Sequence, residues 1–167
     1  MAYSGTYVPI NRSKYQGNPD NIVYRSLWER HCFRWLDQNA DVVSWSSEET
    51  VVIYYFPIDK RTHRYFVDLK YTTKDGRTFL IEVKPAKETV KPKKVEKSAR
   101  YVKESVTYIR NQCKWEAATK FAEDNGWTFH VWTEVELVKL GIMPKPLKPI
   151  NKLPALKALR KPSSRKQ

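Results

Sequence analysis

The sequence predicts a mixed α/β domain in which one helix precedes a three-stranded antiparallel meander, and further helices, a fourth strand and a short helix follow. Three observations carry this. Apolar residues recur at helical spacing through residues 18–37. Runs rich in β-branched and aromatic residues occupy 50–56, 63–71 and 78–84, punctuated by turn residues. Helical spacing then returns after residue 93 and gives way to a last strand at 127–132.

The elements follow in order. Residues 1–17, with Gly5, Pro9 and Gly17, read as an irregular arm. A helix is expected to begin at Asn18-Pro19-Asp20, where Asn18 caps and Pro19 fits the first turn, and to run to about Asp37. Tyr24, Leu27, Trp28, His31, Cys32, Trp35 and Leu36 fall on one arc of its wheel. Glu29 lies just past that arc, placed either as a solvated edge residue or to reach a neighbouring cleft. Thr50 to Phe56 forms the first strand, ended by Pro57, and Asp59-Lys60-Arg61-Thr62 turns the chain into the next.

A helix is expected over about Lys93 to Arg110, and Asn111 caps another over Gln112 to Asp124 that stops at Asn125-Gly126. Trp127 to Trp132 is the fourth strand, and Thr133 with Glu136 forms a capping box opening a short helix to Leu140. From Met143 the chain is rich in Pro, Lys and Arg and has no acid, so 18–142 is the expected domain and 143–167 a basic tail. Leu153, Leu156 and Leu159 are spaced for a short amphipathic turn within it.

The most chemically loaded element is the hairpin between the runs His63–Tyr71 and Thr78–Lys84. Lys74-Asp75-Gly76 suits a three-residue loop whose Gly takes the left-handed position, which pairs Thr73 with Arg77. Counting outward places Asp68 opposite Glu82, and strand alternation puts Lys84 on the face of Glu82. Facing carboxylates at about 4 Å and an effective dielectric of about 20 repel by roughly 4 kcal/mol. A neighbouring Lys offsets part of this, and a divalent cation offsets it in full. Hard oxygen donors with open positions suit Mg²⁺, or Mn²⁺. The competing reading is a surface cross-strand Glu–Lys–Asp cluster of little energetic consequence.

Composition narrows the class. The 167 residues carry a formal charge of +13, and Trp, Tyr and Phe make up 13%. That balance points to a polyanionic partner, nucleic acid being the commonest. No apolar run is long enough to span a membrane and no signal-peptide pattern opens the chain. Cys32 and Cys113 lie in helical patterns without metal-ligand spacing, and His31, His63 and His130 are scattered, which argues against zinc. Buried thiols in a reduced cytoplasm are the expectation.

A helix bearing one acid, followed by a meander bearing Asp and Glu-x-Lys, resembles the PD-(D/E)XK nuclease superfamily over roughly residues 20–140. Val67 stands where that motif often has Pro, whereas Glu82-Val83-Lys84 matches in full. The ordered strings Tyr24-Arg25-Ser26-Leu27-Trp28-Glu29-Arg30, Trp45-Ser46-Ser47-Glu48-Glu49, His63 to Asp68, Ile81 to Pro85, Lys114 to Ala118 and Leu140-Gly141-Ile142 narrow the likeness. They resemble the head completion nucleases of T-even-type tailed phages and, more distantly, transposon-end endonucleases.

The resemblance implies a restriction-endonuclease-like core and Mg²⁺-dependent hydrolysis of DNA with little sequence specificity, by endonuclease or exonuclease action. Asp68, Glu82 and the Val83 carbonyl would ligate the metal, and Lys84 would orient or deprotonate the attacking water. Glu29 would meet a second metal or its water, with Glu48 and Glu49 as competing acids. His63, Arg64 and Tyr65 would position phosphate at the rim, with a core position the favoured alternative for Tyr65, while Lys87, Lys91, Lys93, Lys94 and the C-terminal tail would grip the backbone or else form a solvated basic face. The setting implied is packaged DNA or DNA ends in the host cytoplasm or virion, beside head or portal proteins. The rivals are a non-catalytic DNA-binding protein at the portal and a transposase-partner endonuclease.

Overall fold

A computed structural model describes residues 3–93 and 98–146. Among these described residues, eight strands and three α-helices follow in the order β1 (Gly5–Tyr7), β2 (Ile22–Tyr24), α1 (Leu27–Gln38), β3 (Val42–Ser47), β4 (Val51–Phe56), β5 (Arg61–Phe66), β6 (Leu69–Thr73), β7 (Thr78–Val83), α2 (Ala99–Asp124), β8 (Thr128–Trp132) and α3 (Glu134–Lys139). The central sheet has the order β3-β6-β7-β8, and two ribbons, β1-β2 and β4-β5, stand apart from it. Among the described residues no helix is long and apolar enough to cross a membrane.

Two apolar clusters cover the two faces of the central sheet. Phe33 and Leu36 of α1 pack with Trp45, Leu69, Tyr71, Ile81 and Trp132. Across the sheet, Leu80 joins Val52, Tyr54, Phe56 and Tyr65 of the ribbon and Ala118 and Ala122 of α2. Strand alternation explains the split, because Ile81 and Leu80 are successive residues of β7 pointing to opposite faces. Both are fully buried. Arg110 ties α2 to the ribbon by bonding the Tyr54 hydroxyl at 3.2 Å and lying 4.0 Å from the centre of the Phe56 ring.

Several expected elements are redrawn. No helix starts at Asn18: its side chain accepts from the Asp20 amide in a turn, and Ile22–Tyr24 then pairs with β1. The helix begins after Ser26, whose Oγ accepts from the Glu29 amide at 3.1 Å, so Ser26-x-x-Glu29 is the true start signal. The buried side of α1 shifts accordingly to Cys32, Phe33, Leu36 and Asp37, and Leu27 is exposed. Asp37 is buried because the arm closes over it, with the amides of Ile10 and Asn11 and the Tyr7 hydroxyl all donating to its carboxylate.

The meander is not one sheet. The run His63–Tyr71 breaks between β5 and β6 at Val67-Asp68, where the chain leaves β4 and enters the central sheet between β3 and β7. β3 itself was not expected, although its Trp45 is a core residue at 1% exposure. The two predicted helices after residue 93 are one helix, Ala99–Asp124, with Asn111 buried inside it. Nothing between Ser98 and Asp124 breaks a helix, since the segment holds neither Gly nor Pro. That helix is the crossover a parallel pair requires, for β8 runs parallel to β7.

Other expectations hold. Thr73 and Arg77 pair across a loop in which Gly76 has φ +82°. The Thr133–Glu136 capping box opens α3. Lys94 and the predicted tail turn at Leu153, Leu156 and Leu159 lie outside the described residues.

Candidate active site

The β6–β7 register pairs Leu69 with Ile81, so the next position outward sets Asp68 against Glu82. Asp68 lies at the point where the chain crosses between sheets and is held there from several sides. Its Oδ2 accepts from the Val83 amide at 2.8 Å, and its carbonyl accepts from the Glu48 amide at 3.2 Å. The Lys84 amide bonds the Trp132 carbonyl at 2.9 Å, which extends β7 by one residue before Pro85 ends it. Lys84 Nζ lies 3.3 Å from Glu82 Oε1, with the Glu82 side chain only 5% exposed.

Glu82 is buried by its neighbours rather than by apolar packing alone. Its second oxygen, Oε2, accepts from the Tyr65 hydroxyl at 2.6 Å. Tyr65 is 3% exposed, and burial followed by the nearby Glu82 charge pushes its phenol well above the usual range. Lys114 of α2 stands over the same ring, its Nζ 5.2 Å from the centroid. Burial lowers the Lys114 ammonium, against the pull of Glu82 and with Lys84 and Arg110 adding to the depression. Tyr65 and Lys114 therefore stand beside the Asp68–Glu82 pair; Tyr65 was expected either at the phosphate rim or in the core, and Lys114 had no expected role. Strand period already put Tyr65 on the face of β5 that looks inward, but no sequence signal located Glu82 beneath it.

The carboxyl of Asp68 titrates well above an ordinary aspartate. Burial is the main cause, Glu82 adds to it, the Val83 hydrogen bond opposes it, and Glu29 contributes a further upward push. Two carboxylates thus share one enclosed corner with less positive charge than they need. A hard divalent cation fits that donor set. Among the described residues no group of three or more His, Cys, Asp or Glu side chains is arranged to hold a metal ion. A cation here would therefore take two carboxylates, with carbonyl, water or phosphate oxygens completing the shell, as Mg²⁺ commonly does.

The remaining acids differ in position. Glu29 sits in the first turn of α1, where Oε2 accepts from the Arg25 amide at 2.9 Å and Oε1 from the Ser26 hydroxyl at 3.1 Å. It caps its helix and at the same time lies near enough to raise Asp68 and Cys32. Glu48, held at φ +55°, pairs with the Arg25 guanidinium. Glu49 turns toward Gly17 and Tyr15. Of the three acids, Glu29 is the one among the main causes of the shift at Asp68.

The expected phosphate-rim residues separate. His63 points to the inner side of the ribbon, stacked 5.5 Å from Tyr54 and bonded to Asp59 at 2.7 Å. Arg64, the next residue, takes the opposite, exposed face and is not brought to Glu82. Lys87, Lys91 and Lys93 follow Lys84 along the segment that leads toward α2 and line a cavity there.

This arrangement agrees with two likenesses to known proteins. The chain is similar to the head completion nuclease of Enterobacteria phage T4, with 43% identity over 146 residues that cover 84% of this chain and 97% of that protein. Residues 39–134, more than half of the chain, match the family described as TnsA-like endonuclease N terminal. The span takes in β3 to β8 and with them Asp68, Glu82, Val83, Lys84 and Lys114. The chain belongs to the TnsA-like endonuclease family and is a nuclease.

Proposed function

We propose that the chain hydrolyses DNA phosphodiester bonds with Mg²⁺, or Mn²⁺ in its place, on a restriction-endonuclease-like PD-(D/E)XK core. The observation that carries this is the buried Asp68–Glu82 pair with Lys84 against it. Asp68, Glu82 and the Val83 carbonyl would hold the metal, whose chemistry is to lower the pKa of water and stabilise charge on the phosphate. Tyr65 keeps Glu82 in one orientation by occupying Oε2, which leaves Oε1 turned toward Lys84. Lys84 lies where it orients the attacking water and balances charge developing on the phosphate. Lys114 supplies a second ammonium beside the pair, and its partial burial favours a site that excludes bulk water.

Glu29 is the better candidate for the remaining acid, because its field reaches Asp68 while Glu48 is occupied by Arg25. Excess positive charge and the absence of a base-reading motif favour weak sequence dependence. The T4 relative's name, together with coverage of nearly its whole length, supports nuclease action during completion of phage heads, and we place that action on packaged DNA or DNA ends beside head or portal proteins.

The test is incubation of supercoiled plasmid with the protein in Mg²⁺, Mn²⁺, Ca²⁺ or EDTA. Nicking and linearisation in the first two and none in EDTA are expected. Cleavage that persists in EDTA would remove the metal from the mechanism. A linear duplex blocked at both ends separates endonuclease from exonuclease action.

A further inference from the structure

Between the segment after Lys84 and the N-terminal half of α2 lies a cavity of about 710 Å³. Lys87, Lys91, Arg100, Lys103, Tyr108 and Asn111 are among the residues that line it. Among the described residues its lining holds two acids, Glu88 and Glu104, and Glu104 is held by Arg100 at 2.8 Å. Positions 100, 104, 107 and 111 recur at three- and four-residue spacing and mark one stripe of α2. The same stripe reaches Lys114 one turn later, over the Tyr65 ring beside Glu82. The cavity therefore opens along the helix face that ends at the candidate active site.

A solvated basic helix face would be convex and fully exposed. This surface instead carries a concavity, a half-buried tyrosine and a polar residue, Asn111, at 4% exposure. Its volume lies in the range of sites for small ligands, roughly 300–1,000 Å³, which admits a nucleotide and excludes a double helix. Proteins that hold unpaired strands combine a cationic track for the backbone with an aromatic face for a base. A tyrosine fixed within a helix offers that face with little conformational entropy left to lose.

We propose that this groove takes an unpaired stretch of DNA next to the bond that is cut, its backbone along Lys91 and Lys103 and a base against Tyr108. The proposal rests on the nuclease reading and specifies its substrate as DNA with a single-stranded end, gap or branch.

The test is fluorescence anisotropy of the full chain with a labelled oligothymidylate and with a blunt duplex of equal length, both in EDTA. Binding is thus read without hydrolysis, so a failed plasmid assay and a failed groove are told apart. Base–aromatic stacking contributes about 1–3 kcal/mol per base, so Tyr108→Ala should weaken oligothymidylate binding by roughly 5- to 100-fold and duplex binding far less. Lys103→Glu, at an exposed position where folding is not at stake, should shift the ratio of the two affinities in the same direction. Lys120→Ala, on the distant exposed end of α2, should leave both affinities unchanged. Circular dichroism establishes that each variant is folded. Equal losses for both DNAs would make the groove a general phosphate contact and overturn the proposal. An unchanged oligothymidylate affinity in folded Tyr108→Ala and Lys103→Glu would do the same.

Discussion

Replacing Asp68 by Asn should remove cleavage and, in the absence of metal, raise stability. The reasoning starts from the shared corner of Asp68 and Glu82, where burial and mutual repulsion both disfavour the charged aspartate. Like charges about 4 Å apart in an effective dielectric of about 20 repel by roughly 4 kcal/mol. An asparagine oxygen can still accept from the Val83 amide, now at 2.8 Å from Oδ2, and forfeits only the charge assistance, about 1 kcal/mol. After allowance for the partial compensation by Lys84, a net gain of roughly 1–3 kcal/mol remains. For a chain of this length that is a rise in Tm of about 2–12 °C.

The pH dependence follows from the direction of the shift. Asp68 in the fold titrates above its unfolded value, so at acid pH both states are protonated and the residue has no effect. As pH climbs past about 3.9 the unfolded chain ionises first, and the folded state loses stability until its own, higher value is passed. The advantage of Asp68→Asn should therefore be absent at the acid end and grow as pH rises. Thermal denaturation of both proteins in EDTA between pH 4 and 8 reads this directly. Added Mg²⁺ should then raise the Tm of the wild type and leave the variant nearly where it was. A variant less stable than the wild type at neutral pH in EDTA would refute the idea that the two carboxylates strain the metal-free fold.

Three further outcomes are expected. Tyr65→Phe deletes a 2.6 Å hydrogen bond between two buried groups, so urea denaturation should show a loss of about 1.5–3 kcal/mol, and half-maximal cleavage should require a different Mg²⁺ concentration; if neither moves, the hydroxyl does not orient Glu82. Glu29→Gln keeps the side-chain cap yet removes the charge, and should slow plasmid cleavage tenfold or more, on the order of 1.4 kcal/mol in barrier, against a smaller effect for Glu48→Gln. The reverse ranking in a rate assay would hand the role to Glu48. DNA affinity should fall steeply on a log–log plot against salt, with a slope of several units, and a flat profile would leave the +13 charge without a nucleic-acid explanation.

The hairpin that carries Asp68 and Glu82 was legible because local rules suffice for it. A Gly in the left-handed position sets the loop, the loop sets the register, and the period of two sets the faces, which together bring Asp68 opposite Glu82. The place of Glu29 beside the apolar arc left it open as an edge residue, and its expected role came from the family resemblance; the arc itself began too early, since Asn18-Pro19 mimics a helix start and competes with the Ser26-x-x-Glu29 signature. The sheet switch at Val67-Asp68 was not legible, since a continuous apolar run looks the same whether its partners lie in one sheet or two. The bond from Tyr65 to Glu82 and the place of Lys114 above that ring were not legible for a related reason. Their roles depend on how the ribbon and α2 pack over β7, and those contacts span up to 49 positions of sequence, the separation of Tyr65 from Lys114.

Diffraction from crystals grown with Mn²⁺ and a short DNA duplex, with data collected at the manganese edge, tests the central claim most directly. The account predicts an anomalous peak at the carboxylates of Asp68 and Glu82, with Lys84 beside the DNA phosphate. Manganese bound elsewhere, with Asp68 and Glu82 unliganded beside DNA seated in the site, would contradict it.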